Sequence, residues 1–469
     1  MTEDPHSVSG AVTVGFALLL VAMILCLALE EKLHAKKSVI VAVFAVACLL
    51  LGGLLDLLPF EEMVVVVGEE RIELPIYIPA IDWGVVAIIL GSSLFVDITS
   101  KSGLFTWIAI VLTKTSRGDP VRLLIFYGVM TVAFSAVLNN VTAMIIVGSL
   151  TAVSLGRLGI GDKLLGFLLV EGLLTNVGGL LTLISSVPNI IVGNAAGITF
   201  VTFFAKAAPY VVVVTGITIW LGAKVFDIRP LASDEARSEA AQRVSGFDEN
   251  DGIESRFKFN FGAVMLGAFI VTIAAASIPD TVLNSLGMGY VALSFAVIML
   301  VQYKSIADRF YQAVDWDLLA FFGALFVVIN VMEHAQVLAL IGRGLAPILE
   351  LGETVGPATM LFSSAVASSV TDNIPLAAML AQILGNLDLA ADSPYWWAVI
   401  FGANLGGNIT PIGSASTVVA MTIISKHKLP LSFVGFVKLA SLFAVVQIII
   451  AVVYVVGLTM AGVFSVTSG

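Results

Sequence analysis

Long apolar runs without alternation set the limits on what this chain can become. Stretches such as 10–29, 38–58 and 432–461 carry almost no charge. About 20 such residues, wound as a helix, span a bilayer core roughly 30 Å thick. The 469 residues are 59% hydrophobic and only 12% charged, where soluble chains are nearer about 45–50% and about 25%. Continuous runs call for helices rather than a β-barrel. The net charge of −10 does not fit nucleic-acid binding, and it resides mostly in loops, so it says little about a transported species. Cys26 and Cys48 both fall in apolar helices, which implies neither a disulfide nor a zinc site. The leader MTEDPHSVSG holds acids and no Lys or Arg, so the first apolar stretch reads as a retained span rather than a signal peptide. Segment 62–79, with weak alternation and a Gly-Glu-Glu turn, reads as a small hairpin or lid outside the bilayer.

The sequence repeats itself. Asp82-Trp83 returns as Asp315-Trp316, 233 positions later, and Asn139-Asn140 returns at the same offset as Asp372-Asn373. Asn176-x-Gly178-Gly179 meets Asn404-x-Gly406-Gly407 at an offset of 228, where Thr182 matches Thr410. A charged stretch, 224–258, separates the halves. The expected fold is therefore an all-α integral membrane protein of two repeats, 1–223 and 259–469. Each half has two plain spans (10–29 and 38–58; 259–278 and 287–302), then a third span broken near its middle (82–113; 315–349). A fourth span is interrupted at the Asn-Asn or Asp-Asn pair (121–156; 356–386). A re-entrant hairpin (163–196; 393–425) and a last span (198–223; 432–461) complete it. Five crossings per half invert the second copy, a recurring transporter plan. With the N-terminus outside and the 224–258 linker cytoplasmic, seventeen Lys and Arg fall inside and four (Arg71, Arg157, Lys163, Arg343) outside, in keeping with the positive-inside rule. The expected location is a plasma membrane, the inner membrane of a prokaryote.

Polar residues inside these runs are the candidate site. Ser135, Asn139, Asn140 and Thr142 lie in FSAVLNNVTAM, and Thr371, Asp372, Asn373 and Pro375 in SSVTDNIPLAA. Such residues break helices, free carbonyls and aim half-helix N-termini into the gap, where oxygens suit Na⁺ and the helix end suits an anion. The bland alternative is an interhelical hydrogen bond, which is what a single membrane Asn usually makes; duplication at matched positions favours a site. A mid-membrane carboxylate costs about 2.5–3.5 kcal/mol on insertion scales, and no Lys or Arg lies in the motifs to pair with Asp372, which is expected to alternate between a proton and a cation. The segments containing Gly178-Gly179, Thr182, Ser185, Ser186, Pro188 and Asn189, and Gly406-Gly407, Thr410, Pro411, Ser414 and Ser416, supply hydroxyls and freed carbonyls beyond what close packing needs. Na⁺ is placed at Asn140, Asp372, Asn373, Thr182 and Thr410, and Glu171 with Asp372 forms a candidate proton path. Asp97, Glu333 and His334 receive no role.

LNNVTAMIIV, EGLLTNVGGLLTLISSVPNIIVGNAAG, VTDNIPLAAM and GANLGGNITPIGSAS resemble the ion transporter superfamily. It groups arsenite permeases, NhaD-type sodium/proton antiporters, the melanosomal P-protein and sodium-coupled carboxylate symporters. The resemblance covers about residues 80–461 and implies scaffold helices (10–58 and 259–302), transport-core helices (82–223 and 315–461), elevator-type alternating access and a homodimer. Carboxylate symporters usually carry Ser-Asn-Thr in both halves; Thr-Asp-Asn in the second half here departs from that pattern. The leading expectation is Na⁺/H⁺ antiport with no cofactor beyond the coupling ions. The alternative is a cation-coupled permease for a small anion or oxyacid, such as arsenite or a di- or tricarboxylate, and a channel ranks third. Lipid is the surrounding partner. No zinc-ligand set, nucleophile–base pairing or phosphate loop points to an enzyme.

Overall fold

The structure, a computed structural model, describes residues 8–58, 64–67, 70–387 and 389–464. The first half runs α1 (Gly10–Ala28), α2 (Glu30–Leu33), α3 (Lys37–Leu54), β1 (Val64–Val67), β2 (Glu70–Glu73), α4 (Trp83–Lys101), α5 (Leu104–Ser116), α6 (Pro120–Ser135), α7 (Asn140–Leu158), α8 (Leu164–Gly179), α9 (Val187–Ala195) and α10 (Phe200–Val225). Helix α11 (Asp234–Ser245) lies in the linker. The second half runs α12 (Arg256–Ala275), α13 (Val282–Gln302), α14 (Ala307–Ala313), α15 (Trp316–His334), α16 (Val337–Leu349), α17 (Gly352–Val370), α18 (Asn373–Gly385), α19 (Pro394–Gly406), α20 (Ala415–Lys426) and α21 (Phe433–Met460). Among the described residues, nine helices are long and apolar enough to cross a membrane. Strands β1 and β2 pair antiparallel with Val67 opposite Glu70; the Gly68-Glu69 turn expected between them lies outside the described residues.

The repeated Asp-Trp landmark has a local cause. Asp82 and Asp315 cap α4 and α15, each accepting from the backbone N–H three residues on, at 3.0 and 2.9 Å. The following Trp83 and Trp316 indoles donate back to the Ile78 and Tyr311 carbonyls at 3.0 and 2.9 Å. Carboxylate capping satisfies an orphan N–H and meets the positive end of the helix. Packing between the halves is reciprocal. Helix α3 lies along α15 and α4 along α13; α20 packs on α7 and α8, while α9 packs on α18 and α19.

One assignment is corrected. The segment that turns back is α6–α7, not α8–α9. Helix α8 runs parallel to α6: Gly128 meets Leu174, and a Cβ on Gly178 would lie 2.7 Å from Val132 Cα. Both helices therefore start at one face, so α7 must return to it. Tyr127 donates to Ser154 at 2.8 Å across the antiparallel α6–α7 pair. The linker touches both ends of this hairpin: Leu231 N–H donates to Asp119 at 3.0 Å, and Arg243 donates to the Leu158 carbonyl at 2.8 Å. The second half does the same. Gly356 sits against Tyr395, and Gly402 and Gly406 meet 361–368, so α19 starts beside the start of α17 and α18 returns. The interrupted crossings are thus α8–α9 and α19–α20. Asn, Asp and Pro break a helix in either case, and local sequence does not say whether the chain then continues or reverses. Arg157 and Lys163 move to the linker face, which strengthens the bias of positive charge there.

Candidate functional site

Four helix starts meet at one cavity of about 890 Å³. Its wall includes the first residues of α7 (Asn140, Val141, Thr142), α9 (Val187, Pro188), α18 (Asn373, Ile374) and α20 (Ala415, Ser416). Each start exists because the chain breaks there. Asn139 caps α7 by accepting from Thr142 N–H at 2.8 Å, Asp372 caps α18 by accepting from Ile374 N–H at 3.1 Å, and Ser414 caps α20 through Thr417 N–H at 3.3 Å. Ser186 precedes α9, and Pro188 costs no hydrogen bond in a first turn. An α-helix N-terminus carries roughly half a positive charge. The cavity reaches the linker side, where Asp97, Lys101, Arg309 and Asp315 line it. Lys101 there pairs with Glu254 of the linker at 2.8 Å.

Of the residues singled out in the sequence, Asn139, Asn140, Thr142, Ser185, Ser186, Asn373, Ser414 and Ser416 line this cavity. Thr182, Asn189 and Thr410 stand behind it as braces. Thr182 donates to the Ala136 carbonyl at 2.5 Å and Thr410 to that of Ser369 at 2.7 Å, the same bond in each repeat. Asn189 donates to the Gly179 carbonyl at 2.6 Å, and Ser185 donates to the same oxygen at 2.6 Å. Thr371 donates to its own helix, at the Ala367 carbonyl. Asp372 has a counter-ion that the motifs did not announce: Lys37, at 2.6 Å. The expectation of an unpaired carboxylate, left to bind a proton or a cation, is replaced by an ion pair formed across 335 positions of sequence. Glu171 is fully buried off the cavity; one oxygen accepts from Thr151 at 2.6 Å and the other has no partner among the described residues. Glu333 accepts from Gln382 at 2.8 Å, and His334 Nδ1 lies 2.8 Å from the Asn330 carbonyl. Asp97 faces the cavity mouth.

Asn176 and Asn404, visible in the sequence only as landmarks of the repeat, join the two half-sites. Asn176 Nδ2 donates to Asn408 and to Ser414, each at 2.8 Å, while its Oδ1 accepts from Ser416 at 3.0 Å. Its repeat mate Asn404 donates to Asn189 at 2.9 Å and accepts from Ser186 at 2.6 Å. Each broken crossing is thus held by the amide of the other. Asn140 donates to Asn176 at 3.3 Å, and its own Oδ1 has no partner among the described residues, like the Ser135 hydroxyl nearby. From Asn408 the network continues to Gln447 and Thr218 at 2.8 and 3.1 Å. Gln447 sits mid-way along a mostly apolar helix with no repeat mate or motif around it, so only its polarity within the run marked it in the sequence.

A family model described as "CitMHS: Citrate transporter" matches residues 23–402. An uncharacterised transporter of Mycobacterium tuberculosis is 31% identical over 381 residues, covering 80% of this chain and 86% of that protein. The human P protein is 24% identical over 489 residues, covering 88% of this chain and 58% of that protein. Among solved structures, the crystal structure of the Alcanivorax borkumensis YdaH transporter superposes with a TM-score of 0.52 at 15% identity, covering 92% of this chain and 100% of that one.

Proposed function

Because this chain belongs to the CitMHS citrate transporter family, we propose that it carries a small carboxylate or similar oxyanion across the membrane by alternating access, driven by a coupled cation. It is a membrane transporter and not an enzyme, as its family is. One observation carries the anionic substrate. Four half-helix N-termini converge on the cavity, and at roughly half a charge each they supply about two positive charges. Side chains at the mouth balance, Asp97 and Asp315 against Lys101 and Arg309. The one carboxylate within the hairpin tips, Asp372, is neutralised by Lys37. The field left over therefore comes from backbone amides and fits a di- or tricarboxylate.

In this reading the repeats are inverted, the linker is cytoplasmic and the cavity faces the cytoplasm. Helices α1, α3, α12 and α13 serve as scaffold, and the hairpins with their interrupted crossings move as the core. A second reading, Na⁺/H⁺ antiport, is favoured by the unpartnered oxygens of Asn140, Ser135 and Glu171. Uptake into proteoliposomes separates the two. Saturable uptake of labelled citrate or succinate that requires an imposed Na⁺ or proton gradient is the expected result. Sodium-driven proton efflux without any carboxylate, and no carboxylate uptake under either gradient, would replace it with antiport.

A further inference from the structure

The Lys37–Asp372 pair bridges two parts of the fold that the alternating-access reading requires to move apart. Lys37 begins α3, which lies along α15, and the adjacent Ser38 hydroxyl donates to Asp317 at the start of α15. Asp372 is in the tip of the second hairpin, one residue before Asn373 of the cavity wall. The ion pair at 2.6 Å therefore ties that tip to the linker-face ends of α3 and α15. Glu30 adds a second acid 3.8 Å from the same ammonium.

The repeats adopt different conformations around this tie. Ile145 on α7 lines the cavity and is 49% exposed, whereas its repeat mate Ala378 on α18 is 4% exposed. Away from the linker, Asp82 accepts from Asn194 at 2.5 Å, drawing α4 and α9 together. Among the described residues its mate Asp315 makes only the capping side-chain bond, and it stands in the cavity wall. Exchanging the two conformations would open the opposite face and bury the present cavity. The tie has no equivalent for that exchanged state. The repeat mate of Asp372 is Asn139, and the start of α13, which corresponds to Lys37, reads Thr281-Val282. Thr182 and Thr410, Asn176 and Asn404, and Ser186 and Ser414 recur in both halves; this charge pair has no counterpart.

We propose that Lys37 and Asp372 form a one-sided latch that biases the transporter toward the state open at the linker face and must part in each transport cycle. This rests on the alternating-access reading. The test uses an Ala378→Cys reporter in a background with Cys26→Ser and Cys48→Ala, reconstituted in nanodiscs and labelled with a polar maleimide. Ala378 is 4% exposed in this state and would be uncovered by the exchange, so its labelling rate follows the population of the exchanged state. Lys37→Met is expected to raise the rate by about five- to thirtyfold, the shift that goes with losing an interaction of this class. Lys37→Arg, which retains the charge, keeps it slow. Equal rates in the parent and in Lys37→Met overturn the latch. If Lys37→Met does not elute as a folded protein, Asp372→Asn, which retains the capping oxygen, takes its place, and equal labelling there overturns the latch as well. A reporter that never labels in any background, although it reacts in denatured protein, removes alternating access itself, a different failure from that of the latch.

Discussion

Asn176 and Asn404 are buried and satisfy both ends of their amides on the opposite interrupted crossing. A buried polar atom deprived of its partner costs about 1–3 kcal/mol. Asn404→Ala strands the Ser186 hydroxyl and the Asn189 oxygen together, so its melting temperature in detergent should fall well below the parent's. Thr422→Ala, whose hydroxyl only bonds back to its own helix at Val418, should leave the melt within error. Asn176→Ala should lower stability similarly and also abolish uptake, because its partners Ser414 and Ser416 belong to the cavity wall. The sequence exposed these two amides through their spacing but not their purpose, since a landmark of a repeat and a brace across it look alike in one dimension. Lys37 was hidden for a related reason: the pattern around a hairpin tip cannot name a counter-ion that arrives from another part of the fold.

Helices α6 and α8, and α17 and α19, approach closely enough that glycine is required where they touch. A Cβ on Gly406 would collide with the Ala365 carbonyl, whereas one on Gly457, in the last turn of α21, would meet nothing within 4 Å. Gly406→Ala should therefore destabilise by about 1–3 kcal/mol through overpacking, and Gly457→Ala should stabilise by about 0.5–1 kcal/mol through helix propensity, both measurable as shifts in thermal unfolding. The linker is a third element with its own test. Lys114 and Lys101 donate to Glu249 and Glu254 and hold those carboxyls below the usual range. A lowered folded-state value means that these contacts contribute fully above the ordinary glutamate pKa and are lost as pH falls through the lowered one. Proteolysis within 246–256 should accelerate only on that acidic descent. Element existence was legible in the apolar segments, because apolar runs and breaks mark helices directly, but the polar helices α11 and α14 carried no such mark; Asn139 and Ser186 each announced a break correctly. What was not legible was direction after the break, which depends on parallel packing between helices far apart in sequence.

At the scale of the molecule, the connection 159–163 and the turn 117–119 share the linker face, while 196–199 lies at the other. Cysteines placed at Ile160 and Arg117 should react from the same side of a sealed vesicle as one at Gln242, and a cysteine at Gly197 from the opposite side. Reaction of Ile160→Cys with Gly197→Cys instead would restore α8–α9 as the hairpin. The braiding of α9 onto α18 and α19, and of α20 onto α7 and α8, has a consequence for biogenesis. Ser186 and Asn189 leave the ribosome some 218 and 215 residues before the amide that satisfies them. At about 5–20 residues per second, the nascent first half waits roughly ten to forty-five seconds in the bilayer with those groups unmet. A half-made chain is thus obliged to keep company with its insertion machinery until its twin emerges, and a pause in translation between the two copies should send it to the membrane proteases.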